Sequence, residues 1–132
     1  MSLENLVGVM GHAEDKVEEP ATSIRWNTGV LPIYSFASIL NLMEVSACQA
    51  IQDRLPPGKT TLPTSISVKY ISSTPVGHHV QAEARITKVE GQRIHYTICA
   101  YDEKGKIAEG THERFIISAD SFMEKISKKN IM

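Results

Sequence analysis

The feature that most constrains this chain is a change of hydrophobic period near residue 60. From about Ser35 to Arg54, Phe36, Ile39, Leu40, Met43, Ala47, Ala50 and Ile51 recur at three- and four-residue spacing, the period of a helix. Leu42 and Val45 fall outside that stripe, so the predicted helix is apolar over most of its circumference and should be buried. Leu55-Pro56-Pro57-Gly58 ends it, because proline offers no amide to continue the ladder.

Beyond that break the apolar residues alternate. Ile66, Val68 and Tyr70 oppose Ser65, Ser67 and Lys69; Val80, Ala82, Ala84 and Ile86 oppose Gln81, Glu83, Arg85 and Thr87. Glu90-Gly91-Gln92 reads as a hairpin turn, followed by the inward set Ile94, Tyr96, Ile98 and Ala100. A second turn at Asp102-Glu103-Lys104-Gly105 leads into a strand from about Lys106 to Ser118. A first strand is predicted near Val7 to Val17, and a short terminal helix from Ala119 to Lys129. A meander with one apolar face must cover something, and only the central helix is long enough. The predicted class is therefore α+β, an antiparallel sheet wrapped around one long helix.

Composition narrows the function. A chain of 132 residues, 42% apolar and 22% charged, is expected to form one domain over residues 1–132 with no need of a metal or disulfide staple. Fourteen basic against fifteen acidic residues argue against a nucleic-acid partner. Cys48 and Cys99 show no paired spacing, which suits a reduced compartment. No apolar run approaches the roughly 20 residues needed to cross a bilayer. The expected address is the cytoplasm, away from membranes.

Chemistry has few places to sit. Glu44 falls within the apolar helix, and helical spacing puts Ala37, Asn41, Glu44 and Cys48 along one edge. A carboxylate there must be paired, as with an arginine or a backbone amide at a subunit seam, or line a cavity, and a cavity-lining one is a candidate general base. Tyr70 shares the parity of Ile66 and Val68, so its hydroxyl is expected on the helix side, where it needs a partner or a substrate carbonyl. Ser35 precedes the helix and is expected to cap it; amides at a helix start also form a site for a carbonyl oxygen. The histidines form no constellation. His78 and His79 are expected at a rim and His95 on the outer face, while the parity of His112 is ambiguous because apolar residues occupy both registers around it. No helical pair or carboxylate-flanked histidine suggests a metal, and no GxGxxG, phosphate loop or GxSxG elbow is present. No cofactor is expected.

The residues resemble those of the hotdog-fold thioesterase superfamily, and most closely its fluoroacetyl-CoA thioesterase-like branch. The likeness runs from about Val30 to Ser118. It is carried by Leu42-Met43-Glu44, the stretch from Leu55 to Thr61, Ser67-Val68-Lys69, Thr74-Pro75-Val76-Gly77, and Gly110-Thr111-His112-Glu113-Arg114-Phe115. The resemblance implies a homodimer whose sheets join edge to edge, with acyl-CoA sites at the subunit interface; the outer sheet face, free to be solvated or to pack on another dimer, leaves a tetramer open. In that branch catalysis is attributed to a threonine, a glutamate and a histidine, with a glycine near the acyl group. Aligned without gaps, the glutamate falls on Glu44. The threonine position holds Phe36, with Ser35 before it, the glycine position holds Pro63 and the histidine position holds Tyr70.

Two functions are compatible with these residues. In the first, the protein hydrolyses a small acyl-CoA thioester. Glu44 then activates water or attacks the carbonyl, Tyr70 and amides near Ser35 hold the oxyanion, and Phe36, Asn41 and Pro63 contact the substrate. In the second, it binds acyl-CoA or another small apolar ligand without catalysis. A dehydratase of the same fold would require an Asp/His pair, which these residues do not assemble.

Overall fold

The period change marks where helix gives way to sheet. A computed structural model describes residues 3–129 of the chain. It has β1 (Met10–Lys16), α1 (Phe36–Ile51), β2 (Lys59–Tyr70), β3 (His79–Glu90), β4 (Arg93–Asp102), β5 (Gly105–Ser118) and α2 (Ala119–Ser127) in chain order. The five strands form one antiparallel sheet in the order β1-β3-β4-β5-β2. The first strand starts later than its predicted Val7, because Leu3–Leu6 form a single 3-10 turn. The helix ends at Ile51 and tightens into one 3-10 turn, Gln52–Arg54, before the prolines.

α1 lies chiefly on β1 and β3. Ile39, Met43, Ala47, Ala50 and Ile51 are buried there against Val80, Ala82, Ala84 and Ile86 of β3 and Ile94, Tyr96, Ile98 and Ala100 of β4. The helix approaches β1 so closely that a Cβ built on Gly11 would stand 2.1 Å from the Ser46 carbonyl oxygen. Only glycine permits that contact.

Two expectations are corrected by this placement. α1 is not buried all round: Phe36, Asn41, Val45 and Gln49 are exposed, while Ala37, Leu40, Glu44 and Cys48 are half-buried. The inward residues of β2 are not sealed either. Ile66 and Val68 are half-buried and Tyr70 is 38% exposed. Both follow from one cause. β2 is an edge strand on the far side of the sheet from β1, so the helix does not reach over it. An open strip runs between the free face of α1 and β2.

The start of α1 is fixed from three sides. The Ser35 amide donates to the Ala21 carbonyl and the Tyr34 amide to the Thr74 carbonyl, each at 2.8 Å. The Tyr34 hydroxyl donates to Asp15 Oδ2 at 2.9 Å. Burial, with the neighbouring Asp15 carboxylate, pushes the ionisation of that hydroxyl far above its ordinary value.

Candidate active site

At the N-terminal end of α1 the open strip deepens into a cleft of about 610 Å³, lined by Ser23, Ile33, Phe36, Leu40, Tyr70 and Ser73 among others. Phe36 and Tyr70 meet there edge to face, with ring centroids 5.8 Å apart and planes at 83°. The Tyr70 hydroxyl is hydrogen-bonded to Ser73 Oγ. Ser35 is fully buried, and its side chain caps the helix: Oγ accepts the Ser38 amide at 3.0 Å and donates to Ser38 Oγ at 2.8 Å. Its hydroxyl is therefore committed to the fold. The next two amides, of Phe36 and Ala37, donate to no acceptor among the described residues. Such first-turn amides, at the positive end of the helix dipole, suit a carbonyl oxygen that gains charge.

Two turns further along the same stripe lies Glu44. Its carboxylate makes no hydrogen bond among the described residues, but Oε1 stands 3.5 Å from Arg114 Nη1 of β5, and its side chain is 36% exposed. Arg114, by contrast, is held from several directions. Nε donates to Thr61 Oγ1 at 2.8 Å, Nη2 to the Thr61 carbonyl at 3.3 Å, and Nη1 approaches His112 Nε2 at 3.2 Å. His112 is buried, and its Nδ1 lies 2.8 Å from the Ser65 carbonyl. A carbonyl only accepts and a guanidinium only donates, so the ring is neutral with its proton on Nδ1. Burial is the main cause that lowers its pKa below 6.5, and the Arg114 charge adds to it. Tyr96 stacks on His112 with centroids 5.6 Å apart. Its hydroxyl is buried with no partner among the described residues, and burial pushes its ionisation far upward.

The residues singled out from the sequence thus divide into two groups. Phe36 and Tyr70 share the N-terminal cleft, with Ser35 behind them. Asn41 is exposed one turn before Glu44, and Pro63 is exposed on the β2 edge opposite Arg114, next to a register shift. Neither Asn41, Pro63 nor Glu44 lines the cleft. His78 and His95 lie on the surface beside Glu103 and Glu90. Among the described residues no three His, Cys, Asp or Glu side chains form a metal-binding group. Sequence reasoning missed Arg114, Thr61 and the inward placing of His112. The signal was available in the hairpin: Tyr96 pairs with His112 and Ile94 with Arg114, and opposed residues share a face.

A model of the fluoroacetyl-CoA-specific thioesterase family, FlK, matches residues 17–120. The chain belongs to this family. The fluoroacetyl-CoA thioesterase of Streptantibioticus cattleyicolor is 33% identical over 97 residues, spanning 74% of this chain and 70% of that protein. A solved structure of the fluoroacetyl-CoA thioesterase FlK superposes with a TM-score of 0.87 at 27% identity, covering 95% of this chain and 97% of the other. A hot-dog-like protein from Thermanaerovibrio acidaminovorans shares the fold at a TM-score of 0.88 and 24% identity, over 97% of this chain and 96% of its own. The sheet and central helix are thus the hotdog fold of a thioesterase family. No helix among the described residues is long and apolar enough to cross a membrane.

Proposed function

We propose that this chain is one hotdog domain acting as a cytoplasmic, homodimeric hydrolase of a small acyl-CoA thioester, with Glu44 as general base. Membership of a thioesterase family supports the reaction class. The observation that carries the assignment of Glu44 is its carboxylate, which is accessible, makes no hydrogen bond among the described residues, and is paired through Oε1 with Arg114. The other oxygen is available to take a proton from water. The resulting hydroxide adds to the thioester carbonyl, and the oxyanion is held by first-turn amides of α1 and by the Tyr70 hydroxyl. Collapse expels the coenzyme A thiolate, which recovers the proton from Glu44 and leaves a carboxylic acid. Thiolate is a good leaving group, so the scheme requires no cofactor.

The separation of the two groups supports a dimer. From Phe36 to Glu44 a helix rises about 12 Å, and from Pro63 to Tyr70 an extended strand runs about 23 Å. Within one chain, Glu44 lies toward the start of β2 and Tyr70 at its end. β2 is twelve residues long with one edge unpaired among the described residues, and beside it Phe36, Val45, Tyr70 and Ile71 expose apolar surface. A bare edge of that length invites a strand. A two-fold pairing of β2 with its own copy is antiparallel and sets the end of one β2 against the start of the other. Glu44 of one chain then meets the Phe36–Tyr70 cleft of the second.

The test is thiol release from a panel of acyl-CoA thioesters of increasing chain length, including acetyl-CoA and fluoroacetyl-CoA. Turnover of short-chain members supports the proposal. Tight binding of coenzyme A esters without thiol release contradicts it in favour of a noncatalytic binder.

A further inference from the structure

Arg114 Nη1 faces two acceptors, His112 Nε2 at 3.2 Å and Glu44 Oε1 at 3.5 Å. The rest of the guanidinium is tied to Thr61. An unopposed arginine beside a carboxylate closes to about 2.8 Å in a charge-assisted pair, which here would occupy the carboxylate that must accept a proton. The gap at Glu44 therefore needs a cause, and the acceptor on the other side of Nη1 supplies it. That acceptor exists only while His112 is neutral with its proton on Nδ1, the form dictated by the Ser65 carbonyl.

We propose that His112 is a positioning residue: by accepting from Arg114 it holds the guanidinium back from Glu44, keeping the carboxylate oriented yet free to act. This rests on the reading of Glu44 as the base. The groups facing His112 are Glu44 from α1, Tyr96 from β4 and Arg114 from β5 itself; the adjacent Glu113 acts on it only through its charge, its carboxylate lying on the other face beside His95. Protonation would turn Nε2 into a donor against Arg114 and release the restraint. Loss of the acceptor by substitution should do the same and let Arg114 close on Glu44.

The experiment compares His112→Leu, which has no acceptor, with His112→Gln, whose amide carries a donor and an acceptor at about the spacing of the ring nitrogens. The probe is the thioester that the wild-type protein hydrolyses fastest in the panel. His112→Leu should lose about tenfold or more in kcat with little change in KM, and the acid limb of its pH profile should move to lower pH, since a tightly paired carboxylate resists protonation. His112→Gln should recover both to within about threefold of wild type. Wild-type kinetics in His112→Leu, or a Gln variant as impaired as the Leu variant, overturns the proposal. Glu44→Gln separates the two readings. If that variant is inactive while His112→Leu is normal, positioning alone falls; if it is fully active, the base assignment falls first. Nitrogen-15 spectra of the folded wild-type protein give a test independent of any variant: a proton on Nδ1 supports the proposal, and one on Nε2 overturns it.

Discussion

Arg114 Nη1 lies 3.5 Å from Glu44 Oε1, pairing the only acidic side chain of α1 with an arginine whose side chain is 6% exposed. The two partners are unequal. Glu44 reaches solvent and can be hydrated, whereas Arg114 is buried and depends on Thr61 and His112 for its remaining contacts. Arg114→Ala leaves Thr61 and His112 with unmet groups in the interior, which costs about 2–3 kcal/mol. The urea midpoint should fall accordingly. Arg114→Lys keeps the charge but cannot reach all three partners, so it should fall between Ala and wild type.

Ser35 carries a different kind of load. Its hydroxyl caps α1 through the Ser38 amide, and loss of such a cap costs about 1 kcal/mol. Ser35→Ala should therefore lower Tm by about 3–6 °C in a domain of this size, read by scanning calorimetry. Ser35→Asp, another good cap, should recover part of the loss.

If the two halves of each site come from different chains, they can complement. Glu44→Gln and Tyr70→Phe homodimers should each be impaired. Unfolded together in equal amounts and refolded, half of the dimers are mixed, and each mixed dimer holds one intact site. Activity should return to roughly a quarter of wild type. Light scattering should give twice the mass of the chain for every variant. No recovery on mixing contradicts a site shared between chains.

The pH dependence of stability has a definite sign. The pKa of His112 lies below its ordinary value of 6.5, chiefly through burial, so the unfolded chain binds its proton more readily than the folded one. Its contribution is then complete above about pH 6.5 and is lost as pH falls toward the folded value. The urea midpoint of wild type should drop over that acid interval, and His112→Gln should flatten that part of the curve.

Most of the architecture was legible because its signals are local. The switch from period 3.6 to period 2, the Pro-Pro-Gly stop after Leu55 and the turns at Gly91 and Gly105 fix the element order without tertiary knowledge. The strand parity of Val80 to Ile86 and of Ile94 to Ala100 gave the buried face of β3 and β4 directly. What periodicity cannot convey is where the helix rests across the sheet. Ile66 and Tyr70 alternate as if for a sealed face, yet β2 sits at the edge, so its inward side stays open. The same limit applied to Glu44. Its helix position singled it out, but its partner lies seventy residues away on β5, where Phe115, Ile116 and Ile117 blur the alternation and hide the inward pointing of His112 and Arg114.

The most direct measurement is kcat/KM for acyl-CoA hydrolysis by Glu44→Gln, a substitution that keeps shape and removes the base. Loss of a general base costs about 10²–10⁴-fold, so the rate of thiol release should fall by at least a hundredfold while the circular dichroism spectrum and Tm stay near wild type. A folded Glu44→Gln protein that releases coenzyme A at the wild-type rate contradicts the account.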